Sequence, residues 1–144
     1  MITVLMGAPA AGKTTWLKAN SINEHIYSTE AIRIYRDIDR DAYMRNIRRQ
    51  AYLAVKEGKS VIADGTHTIG QHRNYWLKVA KEFEVKTRLI LFDTPLHVLL
   101  IGNATRLHPA PVKVIRDHHI RFVRSKDSVR LEAWDQIDIL TRDE

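Results

Sequence analysis

Gly7-Ala8-Pro9-Ala10-Ala11-Gly12-Lys13-Thr14 is the stretch on which the reading of this chain turns. Before it runs Ile2-Thr3-Val4-Leu5-Met6, short and wholly apolar but for one threonine, which reads as a buried strand. After it, residues 14–19 begin a helix. Glycines at both ends let the chain curl so that successive backbone N–H groups point inward, and the helix that opens after Gly12 adds the partial positive charge of its N-terminus. A strand, this spacing of Gly, Gly, Lys and Thr, and a helix together make the context of a phosphate-binding P-loop. In that reading Gly7, Ala8, Pro9, Ala10, Ala11, Gly12, Lys13, Thr14 and Thr15 bind the nucleotide. Lys13 reaches the β- and γ-phosphates of ATP, and Thr14 Oγ1 holds the accompanying Mg²⁺. The loop speaks for the donor side alone and leaves kinase, ATPase and GTPase open.

Working outward, strand and helix patterns alternate. Strands are expected at 24–27, 60–63, 85–92 and 136–140, besides the first at 2–6. Helical stretches are expected at 30–36, 72–83, 96–102 and 112–124, and a longer one, capped by Asp41, runs to residue 56 with Tyr43, Ile47, Ala51, Ala54 and Val55 on one stripe. Residues 103–111, polar and carrying Pro109 and Pro111, read as a mobile loop. Alternation of this kind predicts an α/β chain with the three-layer P-loop NTPase fold, a mainly parallel five-stranded sheet and a helical lid at about 102–124.

The 144 residues suit one domain, 1–144, around one core, and 44% hydrophobic with 28% charged residues is ordinary for a globular protein. With no cysteine there is neither a disulfide framework nor a cysteine zinc site. No apolar run approaches the roughly 20 residues that span a bilayer, and the N-terminal run lacks a basic flank, so no membrane association and a cytoplasmic location are expected. A net charge of +6 favours polyanionic partners such as nucleic acid, although it would also serve ATP alone or solubility.

A phosphoryl-transfer enzyme needs a carboxylate near the acceptor hydroxyl and cations over the transferred group, and in parallel α/β sheets these collect at the carboxyl ends of strands. The second strand leads to Ser28-Thr29-Glu30-Ala31-Ile32-Arg33, which puts Glu30 and Arg33 on one helical face, continued by Arg36, Asp37 and Arg40. The same residues also read as a helix N-cap with an acidic first turn followed by solvated charge. The third strand ends in Asp64-Gly65-Thr66-His67. Asp64 there suits a carboxylate in the second coordination sphere of magnesium, or a plain turn residue. An aspartyl phosphatase is excluded because Ile62 stands where the nucleophilic aspartate belongs. Arg106 reads either as a lid arginine closing over phosphates or as an exposed loop arginine. Adjacent His118 and His119 cannot make the i, i+4 pair of a zinc helix. Trp16, Trp76 and Trp134 read as core residues rather than base-stacking platforms.

Along nearly its whole length the chain resembles the kinase domain of phage-type polynucleotide 5′-hydroxyl kinases, within the small P-loop kinase superfamily. The resemblance is carried by Gly-x-x-x-x-Gly-Lys-Thr-Thr-Trp at 7–16, Ser28 through Arg33, Asp64-Gly65-Thr66-His67 followed by Arg73, Phe92-Asp93-Thr94-Pro95, Asn103-x-x-Arg106, Pro111, and Trp134-Asp135-Gln136-Ile137. It implies that Glu30 is the general base, that Arg33, Thr66 and Arg73 bind the acceptor and its phosphate, and that Arg106 contacts the donor phosphates. Several positions depart from the family. Glu30 stands where an aspartate is usual, His67 replaces an asparagine, Gly102 replaces a lid arginine, and Arg36-Asp37-x-x-Arg40 offers a second register for the base. No attached phosphatase or ligase domain is expected in this length.

The expected activity is therefore an Mg²⁺- and ATP-dependent kinase acting on a hydroxyl of nucleic acid, DNA or RNA, with a polynucleotide 5′-hydroxyl first. A hydroxymethylated base such as 5-hydroxymethyluracil is a variant suited to the basic face Arg45, Arg48 and Arg49. Other readings are a small-molecule kinase or antibiotic phosphotransferase of the same fold, and a regulatory ATPase without an acceptor.

Overall fold

The computed structural model describes residues 1–20, 25–28 and 37–142, with the side chains of residues 25, 26 and 28 excepted. The helical stretch expected at 30–36, and with it Glu30 and Arg33, lies outside the described residues. The strands are β1 (Ile2–Met6), β2 (His25–Ser28), β3 (Val61–Asp64), β4 (Thr87–Asp93) and β5 (Gln136–Thr141). The helices are α1 (Lys13–Asn20), α2 (Arg40–Lys56), α3 (Gly70–Phe83), α4 (Leu96–Ala104) and α5 (Val112–Ser125), with a short 3₁₀ turn at Ser128–Leu131.

The five strands form one sheet in the order β2-β3-β1-β4-β5, and every pairing is parallel. Each strand side alternates as its period of two demands. Ile2, Val4, Met6, Val61, Ala63, Leu89 and Leu91 share one core cluster with Ile47, Ala51 and Ala54 of α2 and Trp76, Val79 and Ala80 of α3. Leu5, Ile62, Ile90 and Phe92 share the other with Leu17 of α1 and Leu99 of α4. Helices thus cover both faces, the three-layer α/β architecture expected. Helix α5 contributes Ile115 to one cluster and Phe122 to the other.

Central β1 is flanked by β3 and β4, so the connections leaving the sheet diverge there. A crevice opens at the carboxyl ends of strands at such a switch point. The P-loop, which follows β1, is placed at its mouth.

Local chemistry adjusts several boundaries. Helix α2 is capped by Asp39, not Asp41: the Asp39 carboxylate accepts the Ala42 N–H at 3.2 Å, and Asp41 falls in the first turn. The same helix ends where Gly58 takes φ +76°, with its N–H donated to Val55 O at 2.9 Å. Of residues 103–111, expected as a loop, Asn103 and Ala104 belong to α4 and the rest form the connection to α5. Buried Asn103 donates to Ala110 O at 2.8 Å and accepts from Ala110 N at 3.0 Å, closing the segment at both ends and leaving a tip around Leu107 exposed.

Candidate phosphate-transfer site

The loop after β1 is shaped by close packing as much as by its glycines. A Cβ on Gly7 would stand 3.0 Å from Phe92 Cβ and 3.2 Å from Ala11 Cβ, so any side chain there would press the loop away from β4. Gly12 has φ +107° and Ala10 φ +70°, the latter a left-handed conformation that costs a residue with a Cβ about 1 kcal/mol. Two bonds hold the curl against the sheet. Gly7 N–H donates to Thr66 O at 2.9 Å, and the buried Thr94 hydroxyl donates to Ala11 O at 2.9 Å. The Lys13 ammonium reaches back over the loop to Gly7 O at 2.6 Å and Ala8 O at 3.0 Å. The lysine therefore sits over the concave side, where α1 begins at Lys13 itself.

Beside the P-loop lies the segment that follows β3. Asp64 ends that strand, opposite Ser28 of β2, and Thr66 is half-buried with its carbonyl on the P-loop. The structure thus brings Thr66 against residues 7–15 and ends Asp64's strand beside β1. His67 follows with φ +49°, a left-handed conformation that histidine, like asparagine, adopts more often than most residues. Its Nδ1–H donates to Leu5 O at 2.7 Å, and burial pushes its pKa down to about 4, although bonds to the Leu5 and Gly65 carbonyls work the other way. This imidazole is a neutral internal brace at neutral pH.

Arg73 is placed elsewhere than the resemblance implied. It is only 3% exposed, its Nε and Nη2 donate to the Glu132 carboxylate at 3.0–3.3 Å, and its Nη1 donates to His67 O at 3.0 Å. The guanidinium thereby ties the His67 carbonyl to Glu132. Engaged by a carboxylate and a carbonyl inside the protein, it keeps few donors for any other group. Of the basic face Arg45, Arg48 and Arg49, the middle residue is turned to the protein, paired with Glu82 and set over the Phe83 ring at 5.3 Å.

The lid side comes from α4 and α5. Gly102 packs on the P-loop, where a Cβ would meet Ala10 Cβ at 3.5 Å, and half-buried Arg106 lies in the connection that follows. Two residues absent from the sequence reading of the site also reach it. Arg142, just past β5, brings Nη1 to 3.6 Å from where a Cβ on Gly12 would stand, and its N–H donates to Asp93 O at 3.2 Å. His118 of α5 binds Thr68 Oγ1 through Nδ1 at 2.7 Å. Its pKa is lowered to about 4, first by burial, then by the Arg121 and Lys13 charges. Nothing in the spacing of His118-His119 signals this, because the contact spans 50 residues. Trp76 is core, at 1% exposure, and Trp16 packs edge-on against Phe92 with ring centroids 6.2 Å apart.

A family model described as an AAA domain matches residues 2–125. Among characterised proteins, the L-seryl-tRNA(Sec) kinase of Methanococcus maripaludis is 30% identical over 150 residues, covering 96% of this chain and 58% of that protein. The bifunctional polynucleotide phosphatase/kinase of Schizosaccharomyces pombe is 29% identical over 107 residues, covering 73% of this chain and 24% of that protein. The chain therefore spans a little over half of the first relative and a quarter of the second. Among solved structures, the Pnkp1/Rnl/Hen1 RNA repair complex contains a chain that superposes with a TM-score of 0.74 at 18% identity, over 88% of this chain and 45% of that one. At that identity the likeness speaks to the fold.

Proposed function

The chain belongs to the AAA-domain family matched over residues 2–125, a P-loop kinase-like domain, and on that footing we propose that it transfers the γ-phosphate of ATP to a hydroxyl carried by nucleic acid, a polynucleotide 5′-hydroxyl first. The observation that carries the reading is the bond from Gly7 N–H to Thr66 O: the loop for the donor phosphates and the segment proposed for the acceptor are one hydrogen-bonded unit. Both characterised relatives are named as kinases of an RNA or a polynucleotide, which supports a nucleic-acid acceptor.

In this reading the P-loop amides and Lys13 hold the β- and γ-phosphates, and Arg106 and Arg142 add positive charge on the donor side. The acceptor oxygen attacks the γ-phosphorus, the bond from that phosphorus to the β,γ-bridging oxygen breaks, and ADP leaves with the electron pair. Glu30, two residues past Ser28, takes the proton of the hydroxyl, with Asp37 as the competing candidate; Arg33 and Thr66 hold the acceptor. For Mg²⁺ the fit rests on the donor set, the Thr14 hydroxyl with the Asp64 carboxylate in the second sphere. Among the described residues no cluster of three or more acidic, histidine or cysteine ligands assembles, which suits a cation that arrives on the triphosphate rather than one held by a protein cage. When bound it would neutralise charge on the phosphates.

A second acceptor is favoured by the likeness to the seryl-tRNA kinase, a hydroxyl on an aminoacyl group borne by tRNA. An acceptor panel separates the possibilities: 5′-hydroxyl DNA and RNA, a 5-hydroxymethyluracil duplex, seryl-tRNA and a set of small alcohols. Transfer confined to small alcohols would contradict the nucleic-acid reading. A large fall in kcat for Glu30→Gln with little change in Asp37→Asn is expected; the reverse would reassign the base to Asp37.

A further inference from the structure

A groove of about 480 Å³ lies between α3 and residues 132–135. Its apolar lining comes from half-buried Leu77 and Val85 and from buried Ala80. On the α3 side Asn74, Lys78 and Lys81 line it at helical spacing, all three exposed. Residues three apart on a helix have Cβ atoms about 5–6 Å apart, so the two ammonium groups match the separation of successive phosphates on a single nucleic-acid strand. Among the described residues neither lysine has a carboxylate partner. The other side carries Glu132 and Asp135, and both are engaged. Glu132 accepts from Arg73 and from the Trp134 indole N–H at 2.9 Å, and Asp135 accepts from the Thr87 N–H at 2.8 Å and its hydroxyl at 3.2 Å. Two unpaired cations beside an apolar lining suit a phosphodiester chain that carries bases. The groove starts beside the segment proposed for the acceptor and leads away from the donor. Arg73, next to Asn74 in α3, joins Glu132 of the groove to His67 O, each at 3.0 Å. At the other end Val85 and Thr87 stand where β4 begins, whereas the P-loop follows the carboxyl end of β1, which runs parallel to β4. The length of β4 separates those two ends by about 20 Å, beyond the reach of phosphates held at Lys13.

We propose that this groove holds the phosphodiester chain of the acceptor nucleic acid beyond its reacting end, with Lys78 and Lys81 on successive phosphates and the apolar lining against the bases. The proposal rests on the nucleic-acid reading above and adds a second contact region to it. A mononucleotide ends before the groove and a longer strand enters it. The groove therefore makes affinity grow with acceptor length and leaves the chemical step untouched, a distinction between polynucleotide and small alcohol that the P-loop cannot make.

The test uses the full chain with ADP filling the P-loop. Binding of a 5′-hydroxyl oligonucleotide of about 12 nucleotides, fluorescent at its 3′ end, is followed by anisotropy over a range of salt. Thymidine 3′-monophosphate, followed by calorimetry, is the short probe. The variant combines Lys78→Glu with Lys81→Glu; both side chains are exposed, so the fold is expected to hold. Its oligonucleotide Kd should rise about tenfold or more, and the slope of log affinity against log salt should become shallower by about 1.4, for two lost phosphate contacts. Mononucleotide and ADP affinities should stay within about twofold, as for distant sites. In turnover, KM for the oligonucleotide should rise with kcat unchanged. Unchanged oligonucleotide affinity, an unchanged salt slope, or equal weakening of the mononucleotide would each overturn the site. Tighter binding of poly-glutamate than of the oligonucleotide, lost in the same variant, would overturn it in favour of an acidic polypeptide. Groove-dependent binding with no phosphorylation of any nucleic acid once ATP is supplied would contradict the proposed function and leave the groove standing. Phosphorylation of the oligonucleotide with equal KM in variant and parent would do the reverse.

Discussion

Thr68 Oγ1 and His118 Nδ1, 50 residues apart in the chain, meet at 2.7 Å and join the segment after β3 to the lid helix α5. Thr68 is 2% exposed, so the bond is made out of water. Thr68→Val keeps the volume and removes the hydroxyl, leaving the imidazole nitrogen short of its partner. The expected loss is about 1–2 kcal/mol of unfolding free energy, read as a lower denaturant midpoint at unchanged slope. Acceptor KM should rise more than ATP KM, because α5 loses its register with the acceptor segment rather than with the P-loop.

Arg73 and Glu132 make a second prediction. Removing the carboxylate strands a guanidinium that is almost wholly inside the protein, where an unpaired charge is costly. Glu132→Gln should cost about 3 kcal/mol, somewhat less if water reaches the partly exposed Glu132 side. A stability change without a selective rise in acceptor KM is expected for Arg73→Gln. A selective loss of acceptor affinity at unchanged stability would return Arg73 to the acceptor.

How far the sequence carried the reading follows from the range of the interactions involved. The P-loop was legible because its chemistry is contiguous: Gly7, Gly12, Lys13 and Thr14 act within eight residues, between a strand and a helix. The alternation of strands and helices was legible for the same reason, since each strand, as at Ile2–Met6, is a local apolar run. The choice of Asp39 over Asp41 as cap was not, because both fit the pattern and only backbone geometry distinguishes them. Arg73, His118 and Arg142 take their roles from Glu132, Thr68 and Gly12 respectively, partners 50 or more residues away. Asn103 was misread as loop because the composition of 103–111 is polar, whereas the polar side chain is what closes the segment.

His67 predicts a pH dependence with a definite sign. Its folded pKa of about 4 lies below the ordinary 6.5, so in acid the unfolded chain binds a proton that the folded site refuses. Stability should be level above pH 6.5, fall from there to about pH 4, and be level below it as far as this group is concerned. For a residue only 4% exposed the loss is about 3 kcal/mol. His118 shifts in the same direction, so the comparison is with His67→Asn, a side chain suited to the positive φ. The variant should lose a large part of the fall between pH 6.5 and 4 in denaturant titrations; an unchanged pH profile would mean that His67 is not held neutral.

Gly7→Ala tests the packing that shapes the loop. The added Cβ meets Phe92 Cβ at 3.0 Å, so the P-loop must lift from β4. A loss of about 1–3 kcal/mol in stability is expected, along with weaker ATP binding by calorimetry. Gly102→Ala, whose Cβ would make an ordinary 3.5 Å contact with Ala10, should change either quantity little.

The fate of the γ-phosphate tests the central claim most directly. With γ-labelled ATP, Mg²⁺ and the nucleic-acid members of the acceptor panel, label should enter an acceptor hydroxyl as a phosphomonoester in step with ADP release, and Lys13→Ala should abolish the transfer. Label found only as inorganic phosphate, at a rate indifferent to every nucleic acid offered, would contradict a nucleic-acid kinase and leave a P-loop ATPase in its place.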